Sequence, residues 1–377
     1  MYTHFWKRFH YSIIQQSRAK KIMKNQLDRN AGNLTLDDIA DLAGVSRSTV
    51  SRVVNEHTSV KKEVRQRVLN IIEEHHFHPN AAARTLALQR SWTIGLILPH
   101  SVSTFFTDPY YPNLLMGIAK ACNLYNFTLA LFLVSTKEDE ANVFSRVGRK
   151  GFLDGVIVQS GHHGDQGAIG KMVDKKIPLV VVGRPFRSDN VTYVDIDNIN
   201  AAKSAVTYLH KTGCKRIATI TGPLDSTVGI DRLEGYRQAI KEQNGQVDDN
   251  LVVEGNFTET GGYLAMQKLL PFQPDGVFAA SDVMAAGAMK AAEDANLSIP
   301  KDISFIGFDD LPAASYGSNQ LSTVRQKVAE LGQKSVESLI EQIEDESIAP
   351  RQIILETELV IRQSCLQLLD ITPQNIK

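Results

Sequence analysis

Between Leu34 and Phe77, apolar residues recur at helical spacing in three short bursts. In "TLDDIADLAG", Leu36, Ile39, Ala40 and Ala43 fall on one face, Thr35 is placed to cap the amino end with Asp38 three residues on, and Gly44 marks the stop. After the Gly44-Val45 connection, Ser46 can cap a second helix. A third is predicted from near Ser59, with Val64, Val68, Ile71 and Ile72 at i, i+4, i+7 and i+8, ending in the "HHFHPN" break before Pro79. From Trp92 the texture changes. "WTIGLILP", "TLALFLVS", "DGVIVQS", "IPLVVVG", "RIATITG", "GVFAASD" and "SFIGFDD" are short, nearly continuous apolar runs with helical stretches between most of them. Strands buried on both faces read this way, which predicts a doubly wound α/β region with parallel sheets. Roughly 270 residues are many for one sheet, so two lobes are expected, with ligands at the carboxyl ends of the strands, in the crevice between them.

The second helical burst, "VSRSTVSRVVN", has an unusual polar face. At about 100° per residue, Thr49, Val50, Val53 and Val54 occupy one arc, while Arg47, Ser48, Ser51, Arg52 and Asn55 fill the other. A plain surface helix carries more Glu, Lys and Gln, which are better helix formers than Ser, Thr and Asn. Short donors between two guanidinium forks suit base edges and phosphates in a major groove, where Arg grips guanine bidentately and Ser or Thr serves either partner. The pattern by itself fits both a helix-turn-helix unit and an ordinary three-helix cap.

Charge does not choose between them. Lys plus Arg number 41 against 42 for Asp plus Glu, so only the local distribution bears on a nucleic-acid partner. Residues 1–33 form a basic arm, with Lys7, Arg8, Arg18, Lys20, Lys21, Lys24 and Arg29 against Asp28 alone. The arm reads as a flexible tail, with Met23 an alternative start, or as an extra nucleic-acid contact. Its apolar stretch is short and interrupted, and reads as neither a secretory signal nor an anchor. Cys122, Cys214 and Cys365 are widely spaced and odd in number, which suits a reducing, cytoplasmic compartment and no disulfide framework or structural zinc site. No run of about 18 apolar residues predicts a membrane span.

The segment "LTLDDIADLAGVSRSTVSRVVNEHTSVKKEVRQRVLNIIEEHHFHPNAAARTLALQRSWTIGLILP" resembles, in order and spacing, the amino-terminal signature of the LacI/GalR family of bacterial transcription regulators. Further on, "DGVIV", "VDIDN", "ITGPLDS", "RLEGY", "SDVMAAG" and "ISFIGFDD" resemble that family's periplasmic-binding-protein-like core, so the likeness runs from about Leu34 to Arg362. It implies an all-α helix-turn-helix domain over 34–79, a hinge helix and linker over 80–91, a two-lobed α/β effector-binding and dimerisation core over 92–365, and a tail over 366–377. It makes Arg47 and Ser48 the residues that choose bases, with Ser51 and Arg52 beside them, and offers Thr35, Thr49, Asn55, Ser59, Lys61, Lys62, Arg65 and Arg67 for phosphate contact or as a solvated face. "PNAAARTLALQRS" resembles the hinge helix that forms when two copies meet in the minor groove: Asn80 caps it, Arg84 nears the backbone, and Leu86 is the apolar wedge.

In the core, the resemblance puts Tyr110 or Tyr111, Arg232, Phe257 and Asp309 at the effector, with Ser160, Arg184, Asp197 and Asp282 as further candidates on strand-end loops. Arginine, carboxylates and aromatic faces together suit a neutral polyol such as a sugar. Plainer roles exist for each: Asp309 and Asp310 as turn caps, Phe257 or Tyr111 as core aromatics, Arg232 as a bridge between helices. Two loops depart from the family pattern, the long "HSVSTFFTDPYY" and the glycine-rich "SGHHGDQGAIG". In the latter, His162, His163 and Asp165 read as solvent-exposed rather than as metal ligands. The expected function is a DNA-binding regulator, a repressor, acting as a homodimer on a palindromic double-stranded operator under small-molecule control, with no cofactor. The alternative is a sugar-binding receptor without DNA work. An enzyme is disfavoured, since neither G-x-G-x-x-G nor G-x-x-x-x-G-K-[ST] follows any strand, and no Ser/His/Asp set stands out. With only a dozen residues after Cys365, too few for three heptads, a dimer is expected rather than a tetramer.

Overall fold

The computed structural model describes residues 34–54, 59–77, 90–98, 101–159, 166–187, 190–243, 245–311 and 320–368. They fall into two compact units, divided between Gln89 and Arg90.

The first unit is helical. Helix α1 (Leu36–Ala43) opens with a full capping box: the Thr35 hydroxyl accepts from Asp38 N, and the Asp38 carboxylate accepts from Thr35 N. It stops at Gly44, whose φ of 63° and ψ of 39° are left-handed and suit a residue without Cβ. Helix α2 (Arg47–Val54) starts with the Ser46 hydroxyl accepting from Thr49 N at 3.2 Å. Helix α3 (Lys62–Glu74) begins later than its apolar spacing implied, because Ser59 lies in a turn and Lys61, which has no side-chain acceptor to offer, takes the cap position. Ile39, Ala40, Ala43, Val50, Val53, Val68 and Phe77 are buried together as the core of this unit.

The second unit has two six-stranded sheets, each covered on both faces by helices. In the first lobe the sheet order is β11-β5-β4-β3-β1-β2, with β1 (Thr93–Leu98), β2 (Thr128–Leu133), β3 (Gly155–Gln159), β4 (Leu179–Val182), β5 (Thr192–Ile196) and β11 (Gln352–Leu355), all paired in parallel. The second lobe has the order β12-β10-β9-β8-β6-β7, with β6 (Ile217–Thr221), β7 (Val252–Glu254), β8 (Gly276–Ala279), β9 (Ser304–Asp309), β10 (Ser322–Arg325) and β12 (Glu358–Val360). Only the β10–β12 pair is antiparallel. In the first lobe the long loop after β1 contains a short helix, α4 (Val102–Thr107), before α5 (Tyr110–Leu124). Then come α6 (Lys137–Val147) and α7 (Gln166–Asp174). The second lobe is flanked by α8 (Asn198–Lys211) and α9 (Thr227–Glu242) on one face and by α10 (Glu259–Leu269) and α11 (Asp282–Asp294) on the other.

The chain passes between lobes three times: from β5 into α8, from β10 into α12 (Val328–Glu344), and from β11 into β12. Helix α12 thus returns to the first lobe, where it packs on α5 and the sheet. Glycine permits the close approach of these two helices. A Cβ on Gly117 would stand 1.9 Å from the Ala329 carbonyl oxygen, and one on Gly332 would stand 2.5 Å from that of Leu114.

Gly117→Ala must push a backbone aside, so a loss of about 1–3 kcal/mol is expected in urea unfolding of the full chain. Gly170→Ala, in α7 with open space around it, is expected to be neutral or to stabilise by up to about 1 kcal/mol.

Candidate functional site

On α2 the helical wheel translates directly into burial. Val50 and Val53 are buried and Thr49 and Val54 half-buried, whereas Arg47, Ser48 and Arg52 are exposed and Ser51 lies between. The Arg47 guanidinium is 3.7 Å from Asp37, with both side chains 67% exposed, a pair weak enough to be exchanged for another acceptor. Ser48 and Thr49 hydroxyls bond to Ser46, so the start of α2 presents a compact hydroxyl cluster beside that guanidinium. Thr35 is occupied by its capping box. Lys61, Lys62 and Arg67 are exposed on and before α3, and Arg65 is half-buried. Asn55, Asn80, Arg84 and Leu86 lie outside the described residues.

In the second unit, the carboxyl ends of the strands surround a cavity lined by Asp108, Tyr110, Tyr111, Gln159, Gly183, Asp195, Asn198, Ser226, Val228, Arg232, Phe257, Asp309 and Gln326. A larger one, about 340 Å³, lies at the amino ends of β4 and β5 beside the end of α12. Open α/β sheets present ligands at the opposite ends of their strands, so the cleft between the lobes is the candidate site.

Arg232 is central to the cleft. It projects from α9 and is 4% exposed. Its Nε donates to Asn198 Oδ1 at 2.9 Å, its Nη1 donates to the Ala280 carbonyl at 2.5 Å and lies 3.5 Å from Asp309 Oδ1, and its plane rests 3.5 Å from the centroid of the Phe308 ring. Burial lowers its pKa, an effect opposed by Asp309 and the other carboxylates nearby. Asp309 ends β9 with φ at 118°, a backbone conformation uncommon for a side-chain-bearing residue. Its carboxylate also accepts from Gln326 Nε2 at 2.5 Å, and burial pushes its pKa up against the pull of Arg232.

Two more carboxylates face the same space. Asp195, within β5, accepts from Arg184 N, Ile196 N and Asn198 Nδ2 at 2.9, 2.8 and 3.2 Å. Burial still raises it to about 6. Asp108 accepts from Tyr110 N at 2.9 Å and is likewise raised by burial. The aromatic side of the cleft is Tyr110 and Tyr111, edge to face with centroids 5.4 Å apart, and Phe257. Phe257 and its neighbour Asn256 both have left-handed φ, 55° and 60°, and the Phe257 ring lies against Gly222. A bulky residue in that region is a strained placement that aims its ring into the site.

The remaining sequence candidates sit differently. Asp197 is exposed and caps α8, accepting from Asn200 N, so the carboxylate facing the cavity is Asp195, two residues earlier. Arg184 reaches across the lobes to Asp231 of α9 with a two-pronged pair at 3.0 and 2.6 Å, and its carbonyl accepts from Thr227 Oγ1. Asp282 lies behind the cavity, accepting from Thr323 Oγ1 at 2.6 Å and Leu311 N at 3.1 Å. Ser160, His162, His163 and Asp165 are outside the described residues. Asp108, Gln159, Asp195, Asn198, Ser226 and Gln326 were not among the sequence candidates. A charged residue inside the fully buried run "TYVDI" was the available signal for Asp195. Among the described residues no group of three or more His, Cys, Asp or Glu side chains is arranged to hold a metal ion, and no helix is long and apolar enough to cross a membrane.

Comparison with known proteins matches each unit. Residues 35–80 match the family described as bacterial regulatory proteins, lacI family, and residues 206–365 match the periplasmic binding protein-like domain. The HTH-type transcriptional regulator CelR of Thermobifida fusca is 36% identical over 335 residues, covering 88% of this chain and 98% of the relative. The ribose operon repressor of Escherichia coli K12 is 33% identical over 335 residues, covering 88% and 99%. Among solved structures, the CelR–cellobiose complex aligns with a TM-score of 0.70 at 31% identity, over 88% of this chain and all of that one. The lac repressor dimer bound to operator and the anti-inducer ONPF aligns at 0.75 and 25%, over 89% and 99%.

Because the folded-state pKa of Asp195 is raised, the folded protein takes up a proton that the unfolded chain does not. Its contribution to stability therefore grows as pH falls from above about 6 toward the ordinary carboxylate value. Relative to Asp195→Asn, which cannot titrate, the wild-type core is expected to gain roughly 1–3 kcal/mol between pH 7 and pH 4 in urea unfolding. A difference that is flat or opposite in sign would contradict the burial argument.

Proposed function

The chain belongs to the lacI family of bacterial regulatory proteins, and from that premise we propose that it is a cytoplasmic repressor that binds a near-palindromic operator as a homodimer and is controlled by a sugar held between the two lobes of its core. One observation carries the reading: a helix with an exposed arginine and hydroxyl face and a cleft of buried carboxylates, arginine and aromatic rings occur in the same chain. The first has the chemistry of base edges and phosphates. The second suits a ligand with hydroxyls on its rim and C–H surface on its faces. Similar proteins support both halves, one solved as a complex with cellobiose and another as a dimer bound to operator.

On this reading residues 34–79 form the DNA-binding domain, 80–91 the linker and 92–365 the effector core. Arg47 and Ser48 choose bases, and Ser51, Arg52, Thr49, Asn55 and Thr35 hold the register, with Asn80, Arg84 and Leu86 serving the minor groove. In the cleft, Arg232, Asp309, Asp195, Asn198 and Gln326 bond to sugar hydroxyls, while Tyr110, Tyr111 and Phe257 cover its apolar faces. Arg184 and Asp231 close the lobes over the ligand. A ligand that binds one lobe arrangement better than another shifts the population toward it, which is how the cleft acts on DNA affinity.

A gel-shift assay with DNA from upstream of the chain's own gene, with and without cellobiose and ribose, tests this. A sequence-specific shift that a sugar alters supports the reading, and no specific shift from dimeric protein under any of these conditions overturns it. Arg47→Ala is expected to cost about 1–3 kcal/mol at the preferred operator and to narrow the gap to mismatched sites. Lys61→Ala should weaken all sequences alike and lower the salt slope by roughly 0.9.

A further inference from the structure

Asp310 does not line the cleft, yet it sits next to the carboxylate that does. Asp309 and Asp310 are consecutive side-chain-bearing residues with positive φ, 118° and 56°. Such a pair persists only where the surroundings hold it. Asp310 is the group that the surroundings grip. Its Oδ2 accepts from Arg325 Nε and its Oδ1 from Arg362 Nη2, each at 2.6 Å, with the Asp310 side chain 10% exposed. Burial would raise its pKa, but the two arginines prevail and hold it below the usual carboxylate range.

The origin of those arginines matters more than their number. Arg325 is the last residue of β10, directly before the chain passes into the first lobe, and its other arm reaches Glu358 Oε2 at 2.8 Å. Glu358 opens β12, directly after the return crossing. Arg362 follows β12, and its remaining donors fasten it to β10, Nη1 to the Leu321 carbonyl and backbone N to Ser322 Oγ, both at 2.8 Å. Gln326, inside the second crossing, bonds to Asp309 itself. The first crossing joins through Asn198, which accepts from Arg232, the partner of Asp309. All three interlobe passages are therefore connected to one two-residue turn, the second and third by hydrogen bonds to its carboxylates and the first through the Arg232–Asp309 ion pair at 3.5 Å.

We infer that Asp310 is a positioning residue: clamped by Arg325 and Arg362, it holds Asp309 in its strained conformation toward the cleft and ties that carboxylate to the chain segments on which the lobes pivot. Asp310 touches no ligand in this scheme. Occupancy at Asp309 is felt at the crossings because the same turn anchors both. An ordinary ion pair of the second lobe would contribute stability without singling out the crossings.

The test uses the full-length chain and hydrogen–deuterium exchange without ligand, so its first arm does not depend on the sugar reading. Asp310→Asn is expected to raise exchange about tenfold in peptides covering 306–311, 322–327 and 356–362 together, leaving β6 and the α5–α12 contact unchanged. Arg325→Gln, which removes one arm of the clamp, should give a smaller rise in the same peptides and serves if Asp310→Asn does not fold. Glu242→Gln, which breaks the exposed pair with Lys203, should leave all three peptides as in wild type. A rise confined to 306–311, or spread evenly over the lobe, overturns the inference. The second arm titrates cellobiose and ribose: if wild type binds neither, the choice of these sugars fails while the first arm still decides the clamp. For a sugar that binds, Asp310→Asn should weaken it about tenfold with operator affinity in its absence changed less than about twofold. Unchanged sugar affinity in a variant whose crossings have loosened refutes the link to Asp309.

Discussion

The cleft depends on one buried cation. A guanidinium out of water is costly unless its donors are directed and the charge is met, and Arg232 Nε and Nη1 are placed accordingly: a side-chain amide oxygen, a main-chain carbonyl and a carboxylate face them, and an aromatic ring covers the guanidinium plane. These four partners come from three parts of the second lobe, namely the start of α8, the end of β8 and the end of β9, which supplies both Phe308 and Asp309. Such an arrangement is weak evidence for stability, because desolvation can consume what the pairing returns, but it defines orientation. Once Arg232 is held, Asp309, Asn198 and through it Asp195 have little freedom, and the polar half of the cleft is preorganised before a ligand enters.

The two units use arginine in opposite ways. In the core the guanidinium is buried, crowded by acceptors and aimed at one place. In the helical unit Arg47 and Arg52 are exposed, and the small apolar core of that unit only has to hold α2 at a fixed angle to its neighbours. On the proposed reading that exposure serves function, since a group meant to meet phosphates or base edges gains by remaining hydrated until it does. Left-handed backbone occurs at turns in both units, as at Gly44 and His76 in the helical one and at Asn126 and Lys176 in the core, but at Asn256, Phe257, Asp309 and Asp310 it falls beside the cleft.

Much of this was legible along the chain. The seven apolar runs that announced strands correspond to β1, β2, β3, β4, β6, β8 and β9, and all of these but the edge strand β2 lie inside their sheets, where strands are apolar on both faces. The strands that carried no such signal, β5, β7, β10, β11 and β12, are short, lie at or next to sheet edges, or lead between lobes, where polar residues have work to do. The same reason explains the site. Tyr110, Arg232, Phe257 and Asp309 could be named from motifs, but Asp195 was passed over for Asp197. In an isolated "VDIDN" either carboxylate can face a ligand, since residues two apart share a strand face, and only the end of β5 at Ile196 and the start of α8 keep Asp195 inward and spend Asp197 on a helix cap.

Local sequence by itself determined the limits of α1, the capping box at Thr35, the turn at Gly44, the polar face of α2 and the succession of buried strands, since each rests on contacts within a few residues. Tertiary structure alone decided which charges share a space. Arg184 meets Asp231 from 47 residues away, Arg325 meets Asp310 from 15, and Arg362 meets Asp310 from 52. The first and third of these depend on chain crossings between the two sheets and the second on the pairing of β9 with β10, and each is a property of the packed whole that no local pattern records.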